Sequence, residues 1–240
     1  MFDVDLNEKI KNLIDSSFQQ FIIGKYTDSI NDLKAALVLD KENPVILYNL
    51  GINYCRLGLF KTAAQYYQKL LDLPFSFIDS LTVKKLYSYA LIKSGSYAEA
   101  ENILNQILTM HAEDVQVQQM LAYGYEKTNQ LGKAVDLYKA IIEKDPECYS
   151  AFNSLAYTLA LSNKDLKTAL AYAKKALSGK HKNPAVLDTI GFILLKLGDY
   201  KRAEKFLYEA NTLFPFHNEI EAHIRQLKEF KDSATKFNNE

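Results

Sequence analysis

Between residues 29 and 203 a small residue recurs at an almost constant interval: Ser29, Ala63, Ala100, Ala134, Ala169 and Ala203, in steps of 34, 37, 34, 35 and 34. A period of that size marks a chain built by stacking copies of one supersecondary unit, none of which can bury its apolar face alone. Three residues before each small residue stand Tyr26, Phe60, Tyr97, Leu131, Leu166 and Tyr200, and seven after it Ala36, Leu70, Ile107, Ile141, Ala176 and Ala210. Six copies in phase set the architecture before any single segment is read.

Counting Pro44 as position 1 of its unit, apolar residues at positions 4, 7, 8 and 11 follow the 3.6-residue period of a helix. A Gly or Asn then stops that helix, and a second amphipathic stretch begins. The stops are Gly24, Gly58, Gly95, Asn129, Asn163 and Gly198, the residue types that most readily enter the left-handed conformation at a helix end. Position 8 is always small (Ser17, Gly51, Ser88, Ala122, Ala156, Gly191), as is the phased residue near position 20, so the two helices of a unit can approach closely. Larger side chains at position 8 should overpack.

The second unit reads PVILYNLGINYCRLGLFKTAAQYYQKLLDLP and resembles a tetratricopeptide repeat at Leu47, Leu50, Gly51, Tyr54, Gly58, Phe60, Ala63 and Tyr67. The sixth is similar at Leu187, Ile190, Gly191, Leu194, Gly198, Tyr200, Ala203, Leu207, Ala210 and Pro215. The tryptophan usual at position 4 is absent throughout, with Lys84 and Gln118 there in units three and four. The resemblance implies an all-α fold: a right-handed α-solenoid of about six helix-turn-helix repeats with a C-terminal capping helix. The repeats fall at about 10–43, 44–77, 81–114, 115–148, 149–183 and 184–217, in one continuous domain over 1–230. Residues 219–230 place Ile220, Ile224, Leu227 and Phe230 on one stripe and read as the cap, and 231–240 as a frayed tail. The last two repeats resemble the C-terminal part of bacterial members, and abundant Lys, Asn and Ile also suggest a bacterial source.

Twenty-nine basic residues balance twenty-nine acidic ones, so no uniform field is available to hold a phosphate backbone. Nucleic acid is therefore disfavoured, a helical-repeat RNA reader remaining a minor alternative. The start MFDVDLNEKIKNL lacks the basic and apolar regions of an export signal, and no uncharged apolar run reaches the ~18 residues of a membrane span. A cytoplasmic protein is expected, with Cys55 and Cys148 unpaired. His111, His181, His217 and His223 are scattered, no phosphate loop occurs, and no serine or carboxylate pair stands in evident relation to a base. Neither catalysis, metal nor cofactor is expected.

At 100° per residue, positions 4, 7, 8 and 11 cluster at about 20° and positions 2, 5, 9, 12 and 13 at about 170°. The resemblance makes that second face the lining of a concave groove. Position 9 holds Phe18, Ile52, Tyr89, Tyr123, Tyr157 and Phe192, five aromatics in six repeats. Position 13 supplies Arg56, Lys93, Lys127 and Lys196. An aromatic floor with a basic edge suits an extended peptide, the rings recurring at the ~8–10 Å spacing of packed helices. The carboxylate clamp of the chaperone-binding members is represented only by Asn49 and Lys85, with no asparagine at position 9, and is not expected.

Two readings follow: an interaction module holding a protein or peptide partner, or a structural subunit whose groove or N-terminal helix serves assembly, as monomer or homodimer. Ile14, Phe18, Phe21 and Ile22 form an apolar patch on the irregular first helix, which the N-terminal Phe2, Val4 and Leu6 could cover.

Overall fold

The computed structural model describes residues 2–179 and 183–237. Among them every regular element is an α-helix, and within each unit sequence-adjacent helices such as α1 and α2, α3 and α4, α9 and α10, and α11 and α12 pack against one another. The residues group into two compact units, Met1–Gly124 and Tyr125–Glu240.

The first unit holds α1 (Phe2–Ile22), α2 (Tyr26–Leu39), α3 (Pro44–Arg56), α4 (Phe60–Leu71), α5 (Ser80–Lys93), α6 (Tyr97–Met110) and most of α7 (Val115–Lys127). The phased small residues Ser29, Ala63 and Ala100 are at most 1% exposed, and Ala36, Leu70 and Ile107 seven residues on are equally buried. The recurring interval is thus the interval at which one helix meets its partner. Gly58 shows how each copy turns: at φ 73° it donates to the Cys55 carbonyl, and Leu59 N–H reaches back to Tyr54 O at 2.9 Å, closing the Schellman pair that satisfies carbonyls a helix end leaves open. Asn129 repeats this at φ 59°, its N–H donating to the Glu126 carbonyl while Gln130 N–H donates to that of Tyr125, as asparagine's tolerance of the left-handed region allows.

Position 8 is small because a partner side chain already fills the space. A Cβ on Gly51 would lie 2.5 Å from the Tyr67 ring, and one on Gly191 2.6 Å from Leu207 Cγ. Tyr67 and Leu207 are fully buried and cannot swing away. Gly51→Ala and Gly191→Ala should therefore each destabilise by about 1–3 kcal/mol through overpacking, outweighing alanine's helix advantage of about 1 kcal/mol. Gly124, inside α7 with open space at its Cβ, should show the reverse sign on Gly124→Ala. Urea unfolding of the three variants checks both signs.

The first helix departs from expectation. It begins at Phe2, so residues 2–6 extend α1 and do not fold back over its apolar patch. The side chains of Phe2 and Val4 lie outside the described residues. Phe18, Ile22 and Ile23 stay more than half exposed.

The second unit holds the end of α7, α8 (Leu131–Lys144), α9 (Tyr149–Leu161), α10 (Leu166–Leu177), α11 (Pro184–Lys196), α12 (Tyr200–Leu213) and α13 (Asn218–Phe237). His181 lies outside the described residues. Residues 231–237, read from sequence as a frayed tail, continue α13, and 238–240 are not described. Val186 to Leu195 of α11 are buried on every side. A helix that is apolar all round is covered all round. Here α9, α10, α12 and α13 supply the cover, with Ile220, Ile224 and Leu227 of α13 buried.

Candidate functional site

In the first unit, position 9 of α5 and α7 supplies the rim of an open depression of about 330 Å³. It is lined by Tyr89, Ile92 and Lys93 of α5 and by Gln116, Gln119, Met120 and Tyr123 of α7. Tyr89 is 42% exposed and leans edge-on against Phe60 at 5.9 Å, while Tyr123 is half-buried. Gln116, Gln119 and Ile92 occupy positions 2, 5 and 12 of the face assigned from the helical wheel. Met120, at position 6, is the one lining residue the wheel leaves out. Phe18 is largely exposed and Ile52 half-buried.

The second unit treats the same positions differently. Phe192 is only 5% exposed, stacked 4.3 Å from the ring of His223 on α13. Tyr157 is half-buried, 5.6 Å from Phe192 and 6.3 Å from His223. The expectation that every position 9 ring faces away from the core therefore fails at Phe192: α13 does more than close the last repeat, and covers the face of α11 that carries Phe192. His223 Nδ1 sits 2.9 and 3.0 Å from the two carboxylate oxygens of Asp188, both residues being buried. Sequence reasoning passed over this pair. Its signal was Asp188 standing alone in an otherwise apolar helix, since a buried carboxylate needs a partner.

The basic edge is largely engaged within the fold. The Arg56 guanidinium lies 5.8 Å from the Phe21 ring centre, Lys93 Nζ 5.8 Å from Phe60 and Lys196 Nζ 5.1 Å from Phe192. Such cation–π contacts hold the alkyl stems down while leaving the charge near solvent. Lys127 pairs with Glu219 of α13 at 3.5 Å and approaches Glu126 at 3.9 Å. Lys85, one fragment of a carboxylate clamp, is bound to Asp114 at 2.5 Å and to Gln116.

Glu126 is the most unusual acid here. Burial pushes its carboxyl above the ordinary range, opposed by the Thr158 hydroxyl donating at 3.0 Å and by the Lys127 charge. A carboxyl raised by folding contributes stability that is complete below its unfolded pKa and is lost as pH rises through the folded value. Glu126→Gln should accordingly stabilise the chain at pH 7, with an advantage that shrinks as pH falls towards 4; denaturation midpoints at the two pH values check the sign.

Among the described residues no three His, Cys, Asp or Glu side chains gather as metal ligands, and no helix is long and apolar enough to cross a membrane. Cys55 and Cys148 are not joined in a disulfide.

Matches to the tetratricopeptide-repeat family fall at residues 20–58, 46–76, 91–156 and 185–217, covering well over half of the chain. A TPR repeat-containing protein of Pseudomonas aeruginosa is 29% identical over 139 residues, 56% of this chain and 23% of that protein. The peroxisomal targeting signal receptor of Kluyveromyces lactis is 24% identical over 200 residues, 81% of this chain and 34% of the receptor. The chain thus spans about a quarter to a third of the length of these relatives. The crystal structure of a tetratricopeptide repeat protein from Parabacteroides merdae superposes with a TM-score of 0.77 at 18% identity, covering 91% of this chain and 84% of that one. Period, turns, buried phase residues and these matches agree, and the chain belongs to the tetratricopeptide-repeat family.

Proposed function

We propose that this chain is a non-catalytic protein-interaction module that holds an extended segment of a partner protein on the inner face of its first unit. The observation that supports this most directly is the open depression between α5 and α7, lined by two tyrosines, the apolar Ile92 and Met120, two glutamines and Lys93. Tyrosine combines an apolar ring with a polar tip, which suits a surface that is wet when free and covered when bound. A large apolar side chain of the partner would lie in this depression against the two rings. The Gln116 amide, whose oxygen already accepts from Lys85, can donate from its nitrogen to a backbone carbonyl of an extended strand, and Lys93 favours an acidic neighbour. A receptor for a targeting signal among the relatives fits the same reading.

The test is an array of extended ten-residue peptides that varies a central apolar residue and the charge of its neighbours. Binders should share a large apolar residue next to Asp or Glu and should protect backbone amides of residues 89–93 and 116–123 from hydrogen exchange. Binders that leave those amides unprotected would place recognition elsewhere.

The assembly reading is favoured by a different observation: on the second unit, the corresponding inner face is already taken by α13.

A further inference from the structure

The turn that brings α13 back onto α11 is short and rests on one uncomfortable residue. Phe216 has φ 61°, in the left-handed region that clashes with a Cβ, and its ring is 87% exposed, so no burial offsets the strain. The other described non-glycine residues with positive φ are Asn129, Asn163 and Asp165, whose side chains tolerate it. Phe214, by contrast, keeps a negative φ of −140°, so the left-handed backbone of this turn falls on Phe216. A change of Phe216 out of the left-handed region would relieve that strain and open the turn between α12 and α13.

What α13 leaves behind is a complete docking site. Lys127 awaits Glu219, Asp188 awaits His223, Phe192 and Tyr200 await the rings of His223 and Phe230, and Glu204 awaits Lys231. These contacts pair groups of opposite charge or complementary shape that recur in every copy of the chain. A second copy's α13 therefore satisfies the site as well as the first's.

We propose that the inner face of the second unit accepts the α13 helix of a second copy of this chain, giving a two-fold dimer by reciprocal exchange with its hinge at Phe214–His217. Both forms contain the same helix contacts, so the balance is set by the cost of association and the strain at two copies of Phe216. A short strained hinge is the arrangement that favours such exchange. Because the site lies in the second unit and uses neither Tyr89 nor Tyr123, this inference does not depend on the peptide reading of the first unit.

The experiment combines light scattering with cross-linking. A chain carrying Cys55→Ser and Cys148→Ser, with Glu204→Cys and Lys231→Cys as reporters, is brought to high concentration, separated by size, and treated with a short bis-maleimide. The expected result is a dimer fraction in which the cross-link joins two chains on a denaturing gel, beside a monomer fraction in which it closes within one. Phe216→Gly, which removes the strain from the closed form, should weaken the dimer by roughly a hundredfold, about tenfold at each hinge. Phe216→Asn keeps a side chain while tolerating the left-handed region and should weaken it in the same direction. A parent chain that stays monomeric at every concentration overturns the proposal. So does a dimer whose cross-links remain within single chains, or one that both hinge variants leave unchanged.

Discussion

Truncation after His217 is expected to unfold the second unit. Removing α13 takes away Ile220, Ile224 and Leu227, each sealed in the native contact, and a fully buried aliphatic side chain contributes about 1.5–3 kcal/mol. The loss of these three alone comes to about 5 kcal/mol or more, comparable to the whole stability of many domains, which is about 5–15 kcal/mol. It also opens the apolar face of α11 around Phe192 and Leu195, which are otherwise at most 5% exposed. That surface invites aggregation. Circular dichroism should show lost helix with no cooperative transition for residues 184–213, and light scattering should show association. A milder companion, His223→Ala, leaves Asp188 buried without its partner and should cost about 3–5 kcal/mol. Should the truncated chain be as soluble and melt as high as the full chain, α13 is not what stabilises α11.

Much of this was legible in the residues themselves. The interval from Ser29 to Ala203 is an interval in three dimensions because each phased residue touches the partner helix, and all six are at most 1% exposed. Gly58 and Asn129 announce their turns because few residue types accept a left-handed backbone. The wheel angle also picked out the face of α5 and α7 that forms the depression, missing only Met120. What failed was of another kind. Periodicity says which face of a helix is free of its neighbours in the repeat, but not whether a later segment returns to cover it. Phe192 was placed on an open floor for that reason, although Ile193 and Leu195 beside it already made α11 apolar all round. The pairs Asp188–His223 and Lys127–Glu219 span 35 and 92 residues and leave no local signature, because each member alone resembles a solvated charge. The basic edge misled in the same way: the spacing gave the cations and the aromatic rings separately, whereas their stacking depends on helix packing.

The double change Tyr89→Ala, Tyr123→Ala should abolish partner capture while leaving the fold intact. Rings at the centre of an interface commonly contribute 2 kcal/mol or more each, so losing both should cost at least about 3 kcal/mol, more than a hundredfold in affinity. At Tyr89 the folded state loses far less. Tyr89 is already 42% exposed and gives up mainly its edge contact with Phe60 at 5.9 Å, an aromatic pairing of about 0.5–1.5 kcal/mol. Tyr157 and Phe192 are left out deliberately. Phe192→Ala would empty a buried site under α13, a change that typically costs about 3–5 kcal/mol, and lost binding could then not be told from lost structure. Tyr89→Phe keeps the ring and removes only the hydroxyl, so it should retain most of the affinity if the ring is the anchor. Titration of an array-selected peptide and thermal melts of the same samples measure both quantities. Unchanged affinity in a well-folded double variant would remove the depression from the binding surface, and unfolding would show the two tyrosines to be core.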